Sequence, residues 1–71
     1  RLTLREQEVV GLVADGLSNK AIASRLGVST RTVEGHVNHV FTKLDLESRT
    51  ELVRYVLTNG LPGRSSADRQ G

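Results

Sequence analysis

Seventy-one residues without cysteine or tryptophan, 37% hydrophobic and 25% charged, make at most one small domain, held by helix packing or a partner because no disulfide or thiolate metal site can staple it. No apolar run is long enough to span a membrane and the N-terminus lacks the apolar stretch of a secretory signal, so the expected setting is the cytoplasm. The formal net charge of +2 is neutral on the choice of partner, but its distribution is not. Lys20, Arg25, Arg31 and Lys43 against Glu34 give +3 between Gly16 and Lys43, while residues 1–15 and 44–60 each sum to −1. A basic middle between mildly acidic ends is either the footprint of an anion-binding surface or an ordinary solvated face.

Four helical segments are predicted, and no window shows the alternation of a strand, so the chain reads as all-α. Thr3 followed by Glu6 gives a capping-box pattern ahead of Val9, Leu12 and Val13 at helical spacing, and Gly16 closes this first helix. Ser18 opens the second, in which Ile22 and Leu26 share a face, Ala21 and Ala23 allow close packing, and Gly27 is the stop. Val28 leads directly into Ser29, the cap of a third helix from Thr30, and two helices joined this tightly must cross steeply. Val33, Val37, Val40, Phe41 and Leu44 form one buried stripe, which turns Arg31, Gly35, Asn38 and Thr42 outward with Glu34 and His39 on the flanks.

Ser48 with Glu51 gives a second capping-box pattern. The fourth helix is predicted to run to about Thr58 and to stop at Asn59-Gly60, with Leu61 placed to fold back on Val56. Leu52 and Val56 continue the core, leaving Val53 and Leu57 as a second apolar stripe with Arg49 one turn earlier. Residues 62–71 have nothing to bury and are expected to form a disordered tail to a domain spanning residues 1–61.

Taken in order, LT-x-RE-x-EV at the start, GLSNK-x-IA-x-RL in the second helix, VS-x-x-TV-x-x-HV in the third, KL after it and SRT before the last resemble the LuxR/NarL-type, GerE-like helix-turn-helix domain of bacterial transcription regulators. The resemblance runs from Leu2 to Leu57, and it is specific because every block keeps its order and spacing. It implies a four-helix domain whose second and third helices form the DNA-binding unit and whose fourth makes a homodimer contact. It further implies the C-terminal output domain of a longer regulator, behind a receiver or other sensory domain, binding two half-sites of double-stranded DNA.

Transferred position by position, the resemblance turns Arg31, Glu34, Gly35 and Asn38 toward base edges in the major groove. Asn38 pairs bidentately with adenine or is a solvated helix residue; Arg31 reaches a guanine or a phosphate, or only keeps the surface soluble. Glu34 departs from the lysine often found there, and either accepts from cytosine N4 or pairs with Arg31 one turn earlier. Gly35 lets the helix backbone approach the groove floor, or is drift in a marginal domain. Phosphate contacts are expected from Ser18, Asn19 and Lys20 at the amide-rich start of the second helix, from Thr32 and Lys43 at the family's TV and KL positions, and from His39. Family dimerisation assigns Arg49, Val53 and Leu57 to a two-fold contact.

No catalysis is expected, since the chain lacks a paired nucleophile and base, a phosphate-binding glycine loop and the volume for a closed pocket. No cofactor or metal is expected either: His36 and His39 have no acidic or thiol partner spaced to complete a tetrahedral set, and His36 reads as a packed residue at the stripe's border. The competing reading is a degenerate helix-turn-helix serving protein interaction or dimerisation. Glu34 and Gly35 support it; Lys20, Arg31, Asn38 and Lys43 speak against it.

Overall fold

Each helix starts where a hydroxyl side chain can take up an amide that the first turn leaves unpaired. In the computed structural model, which describes residues 2–60, Thr3 opens α1 (Leu4–Ala14), Ser18 opens α2 (Asn19–Leu26), Ser29 opens α3 (Thr30–Leu44) and Ser48 opens α4 (Arg49–Asn59). Every one of these hydroxyls accepts the amide three residues on, at 3.1 Å. At Thr3 the box closes, because Glu6 Oε1 takes the Thr3 amide in return at 3.0 Å. At Ser48 the expected box does not close: Glu51 Oε1 accepts the Glu47 amide instead, at 2.7 Å. Ser48 has φ −152°, against −72° to −79° at the other caps, and this rotates its own amide away and presents the preceding one.

The stops of α1, α2 and α3 share a geometry as well. The amides of Leu17, Val28 and Leu46 donate to the carbonyls of Leu12, Ala23 and Phe41 at 3.1, 3.0 and 2.9 Å. A left-handed residue precedes each of them: Gly16 at φ 94°, Gly27 at 73° and Asp45 at 58°. The bond turns an apolar side chain back, and Leu17, Val28 and Leu46 all pack against the core. The glycines are the expected stops; Asp45 is not, since a left-handed conformation costs most L-residues about 1–2 kcal/mol and aspartate is among the few that tolerate it.

The core joins Val9, Val10 and Val13 of α1 to Ile22 and Ala23 of α2, Val33, Val37 and Val40 of α3, and Leu52 of α4. α3 packs on both α1 and α2, whereas α4 packs chiefly on α1. Held between α3 and α4, α1 buries Val10 fully and leaves Leu12 half-buried, a small rotation from the expected stripe. The described residues are thus all-helical, with α2 and α3 joined only by Gly27, Val28 and Ser29. No helix among them is long and apolar enough to cross a membrane. The expected Leu61–Val56 contact and the tail 62–71 lie outside the described residues.

Candidate nucleic-acid interface

Burial of Val33, Val37 and Val40 fixes the rotation of α3 and so decides which side chains it offers to solvent. Arg31, Thr32, Glu34, Asn38, His39, Thr42 and Lys43 are exposed, with Gly35 half-buried among them. The ion pairs among the described residues are Arg5–Glu8, His39–Glu6 and Lys43–Glu6, so Arg31 and Glu34 are not joined and the pairing left open by the sequence is not formed. Thr32 Oγ1 lies 2.9 Å from Ser29 Oγ, which ties this hydroxyl to the helix cap. A methyl group at Gly35 would meet no atom within 4 Å, so packing inside the domain does not require the glycine.

The start of α2 lies beside this face. Ser18 and Lys20 are exposed and Asn19 is half-buried. A shallow cleft lined by Asn19, Glu34, Val37, Asn38, Phe41 and Arg49 joins the first turn of α2 to the outer side of α3. The unpaired amides of that turn form the positive end of the helix dipole, to which Lys20 adds a full charge.

Two of the expected phosphate ligands have a second allegiance. Glu6 keeps only 4% exposure, and its Oε1 accepts both Lys43 Nζ at 2.8 Å and the Thr3 amide at 3.0 Å. His39 Nδ1 stands 3.6 Å from Oε2, an ion pair when the imidazole is protonated. The Lys43 hydrogen bond first, and the Thr3 amide next, hold this carboxyl below the ordinary glutamate value, outweighing burial, which pushes it up. Lys43 and His39 therefore join α3 to α1 along the same edge that is expected to meet phosphate. Sequence reading finds Glu6 only as a cap, because nothing local pairs it with a lysine 37 residues on.

Arg49 and Asn19 are likewise committed within the domain. Arg49 Nη1 donates to Asn19 Oδ1 at 2.7 Å and Nη2 donates to the Leu17 carbonyl at 2.6 Å, so the guanidinium faces the α1–α2 turn. This gives Arg49 an intramolecular task besides the expected place in a dimer contact. Val53 is half-buried and packs against the core, while Leu57 is 80% exposed. Together with Thr50 and Arg54 they line a small apolar depression on α4. His36 is half-buried, and no group of three or more metal-ligating side chains gathers among the described residues.

The short α2, joined at a tight turn to the longer α3 whose polar face lies beside the capped start of α2, makes a helix-turn-helix, and the family match of this chain makes it a domain of the DNA-binding, transcription-regulating class. Residues 1–56 match the family described as bacterial regulatory proteins, luxR family, and the chain belongs to it. It is 52% identical over 60 residues to the oxygen regulatory protein NreC of Staphylococcus haemolyticus, covering 84% of this chain and 28% of that protein. It is 54% identical over 59 residues to the response regulator Rre1 of Synechocystis, covering 83% of this chain and 26% of that one. A protein of Mycobacterium bovis named as an HTH-type transcriptional regulator is 54% identical over 61 residues, 86% of this chain and 7% of its own length. The chain thus spans less than a third of these relatives, and the family is one of regulators, not an enzyme class.

Proposed function

We propose that the chain is the DNA-reading module of a bacterial transcription regulator, laying α3 in the major groove of double-stranded DNA. One observation carries this: in a luxR-family chain, Arg31, Glu34 and Asn38 stand exposed along α3 opposite its buried valines, with the Ser18–Lys20 turn beside them. Arg31 and Asn38 supply the guanidinium and amide that suit guanine and adenine edges, and Glu34 accepts from a cytosine amino group. Gly35 lets the helix backbone close on the groove floor. Ser18, Asn19, Lys20, Thr32, His39 and Lys43 meet phosphates on either side, fixing the register that the base contacts then read.

Val53 and Leu57 supply a two-fold contact, so that a homodimer spans half-sites about one helical turn apart. The reading places this module in the cytoplasm, governed by a receiver or other sensory domain elsewhere in a longer regulator. The names of two relatives, a response regulator and an oxygen regulatory protein, support that placement.

The test is fluorescence anisotropy of a labelled mixed-sequence duplex titrated with the chain at about 50 mM and about 200 mM salt, where binding through phosphates falls steeply. Lys20→Ala is expected to weaken binding to all sequences alike and to reduce the slope of log affinity against log salt by about 1. Lys20 is a cleaner probe than Lys43, whose removal also strips Glu6 of its lysine partner. No binding at low salt would favour the rival protein-interaction module, for which the exposed Glu34 and the charge of Lys43 balanced by Glu6 are the supporting observations.

A further inference from the structure

Arg49 belongs to α4, outside the helix pair that would read DNA, yet its guanidinium closes a joint beside that pair. Its fork grips Leu17 by the carbonyl and Asn19 by the side chain, the residues on either side of Ser18. Ser18 is the cap of α2, so both flanks of the helix start are held by one planar group. α4 otherwise packs chiefly on α1, which leaves this fork as the conspicuous polar tie between α4 and the first turn of α2. The same side chain helps to line the cleft between that turn and the outer side of α3, next to Glu34 and Asn38.

The chemistry of the contact also orients Asn19. A guanidinium only donates, so the amide must turn its oxygen toward Arg49. Nδ2, the donor that an anion requires, is thereby placed on the opposite side of the amide, and it has no other partner among the described residues. A lysine would preserve the charge but offers a single nitrogen, which cannot hold a side-chain oxygen and a carbonyl in one rigid plane.

Resting on the DNA-reading function above, we propose that Arg49 is a positioning residue for DNA. Its fork holds the first turn of α2 against the start of α4 and fixes the orientation of the Asn19 amide beside the reading side of α3, so that one duplex meets both together. Arg49 itself touches neither DNA nor a second chain.

The experiment compares the chain with Arg49→Lys, Asn19→Ala and the double variant. Each is titrated into a duplex selected from a random pool by the unaltered chain and into a mixed-sequence duplex, alongside thermal melts and sedimentation. Arg49→Lys is expected to weaken binding to the selected duplex about tenfold, a change of about 1.4 kcal/mol, and to narrow the gap between the two duplexes. Its helical circular dichroism and sedimentation should stay unaltered. Asn19→Ala is expected to weaken binding too, and the double variant to lose less than the sum of the singles, because the two residues act through one contact.

Unchanged binding by folded Arg49→Lys would overturn the proposal, as would additive losses in the double variant. A defect that vanishes once affinity is corrected for the folded fraction would reduce Arg49 to a stabilising residue and overturn it equally. If Arg49→Lys fails to fold, Arg49→Gln, which keeps a donor for the Leu17 carbonyl but not the two-nitrogen fork, takes its place in the same comparison, and unchanged binding by that folded variant overturns the proposal equally. Failure of the unaltered chain to bind any duplex would instead sink the DNA-reading function and this proposal with it.

Discussion

Glu6 shows how one side chain can serve a local and a distant need together. Its carboxylate caps the helix it belongs to through the Thr3 amide and reaches across to Lys43 on α3, so its near-complete burial is compensated by partners of opposite charge or polarity. Because its folded pKa lies below the value of a free glutamate, the folded state binds this proton less readily than the unfolded chain. The stability it contributes is therefore complete above the unfolded value, near pH 4.5, and is lost as pH falls through the folded one. Glu6→Gln keeps the shape and removes the charge. At pH 7 it is expected to destabilise the domain by on the order of 1 kcal/mol, a modest figure because Lys43 remains partly solvated. The difference from the unaltered chain should shrink in urea melts between pH 5 and pH 3; a constant gap over that range would show that the Lys43 pair contributes nothing. The cap was legible in the Thr3–Glu6 spacing, whereas the ion pair was not, since it exists only once α1 and α3 have packed.

At the scale of the element, the starts of the helices were the most readable feature, because a hydroxyl followed by a helical pattern states its own geometry. Ser18 and Ser29 cap α2 and α3 as their sequence contexts imply. The end of α3 was harder: Asp45 occupies a left-handed position with no glycine to announce it, and the reason lies in Leu46 returning to the core. Gly35 poses the sharper problem. A glycine inside a helix is worth roughly 0.5–1 kcal/mol less than alanine, and here the space for a methyl group is open. Gly35→Ala is accordingly expected to raise stability by about that amount in a urea or thermal melt. If the glycine serves close approach to the groove floor, the same variant should bind a selected duplex more weakly although it is more stable. A gain in both stability and affinity would remove Gly35 from the reading surface and leave it as drift.

At the scale of the whole molecule, the periodicity of α3 made its outward face legible, but the commitments of that face were hidden. Lys43 to Glu6, Arg49 to Leu17 and Arg49 to Asn19 join residues 37, 32 and 30 positions apart, and no local pattern constrains such pairs. The apolar surface of α4 shows the same division. Val53 and Leu57 share a stripe in the sequence, yet Val53 packs partly on its own core and Leu57 alone projects, at 80% exposure. Val53→Asp would thus perturb folding and pairing together, whereas Leu57→Asp adds a charge where water already reaches. A contact centred on the one exposed leucine of α4 is small against the roughly 1,200 Å² that stable interfaces bury, so the free chain is expected to sediment as a monomer. Two adjacent half-sites change the balance by holding two chains at high effective concentration, where a weak contact suffices. Leu57→Asp should therefore leave the melting temperature and the affinity for a single half-site unchanged, while lowering affinity for a two-half-site duplex about tenfold through lost cooperativity. Equal cooperativity in the variant and the unaltered chain would exclude Leu57 from the two-fold contact, and a loss on the single half-site would place it at the DNA instead.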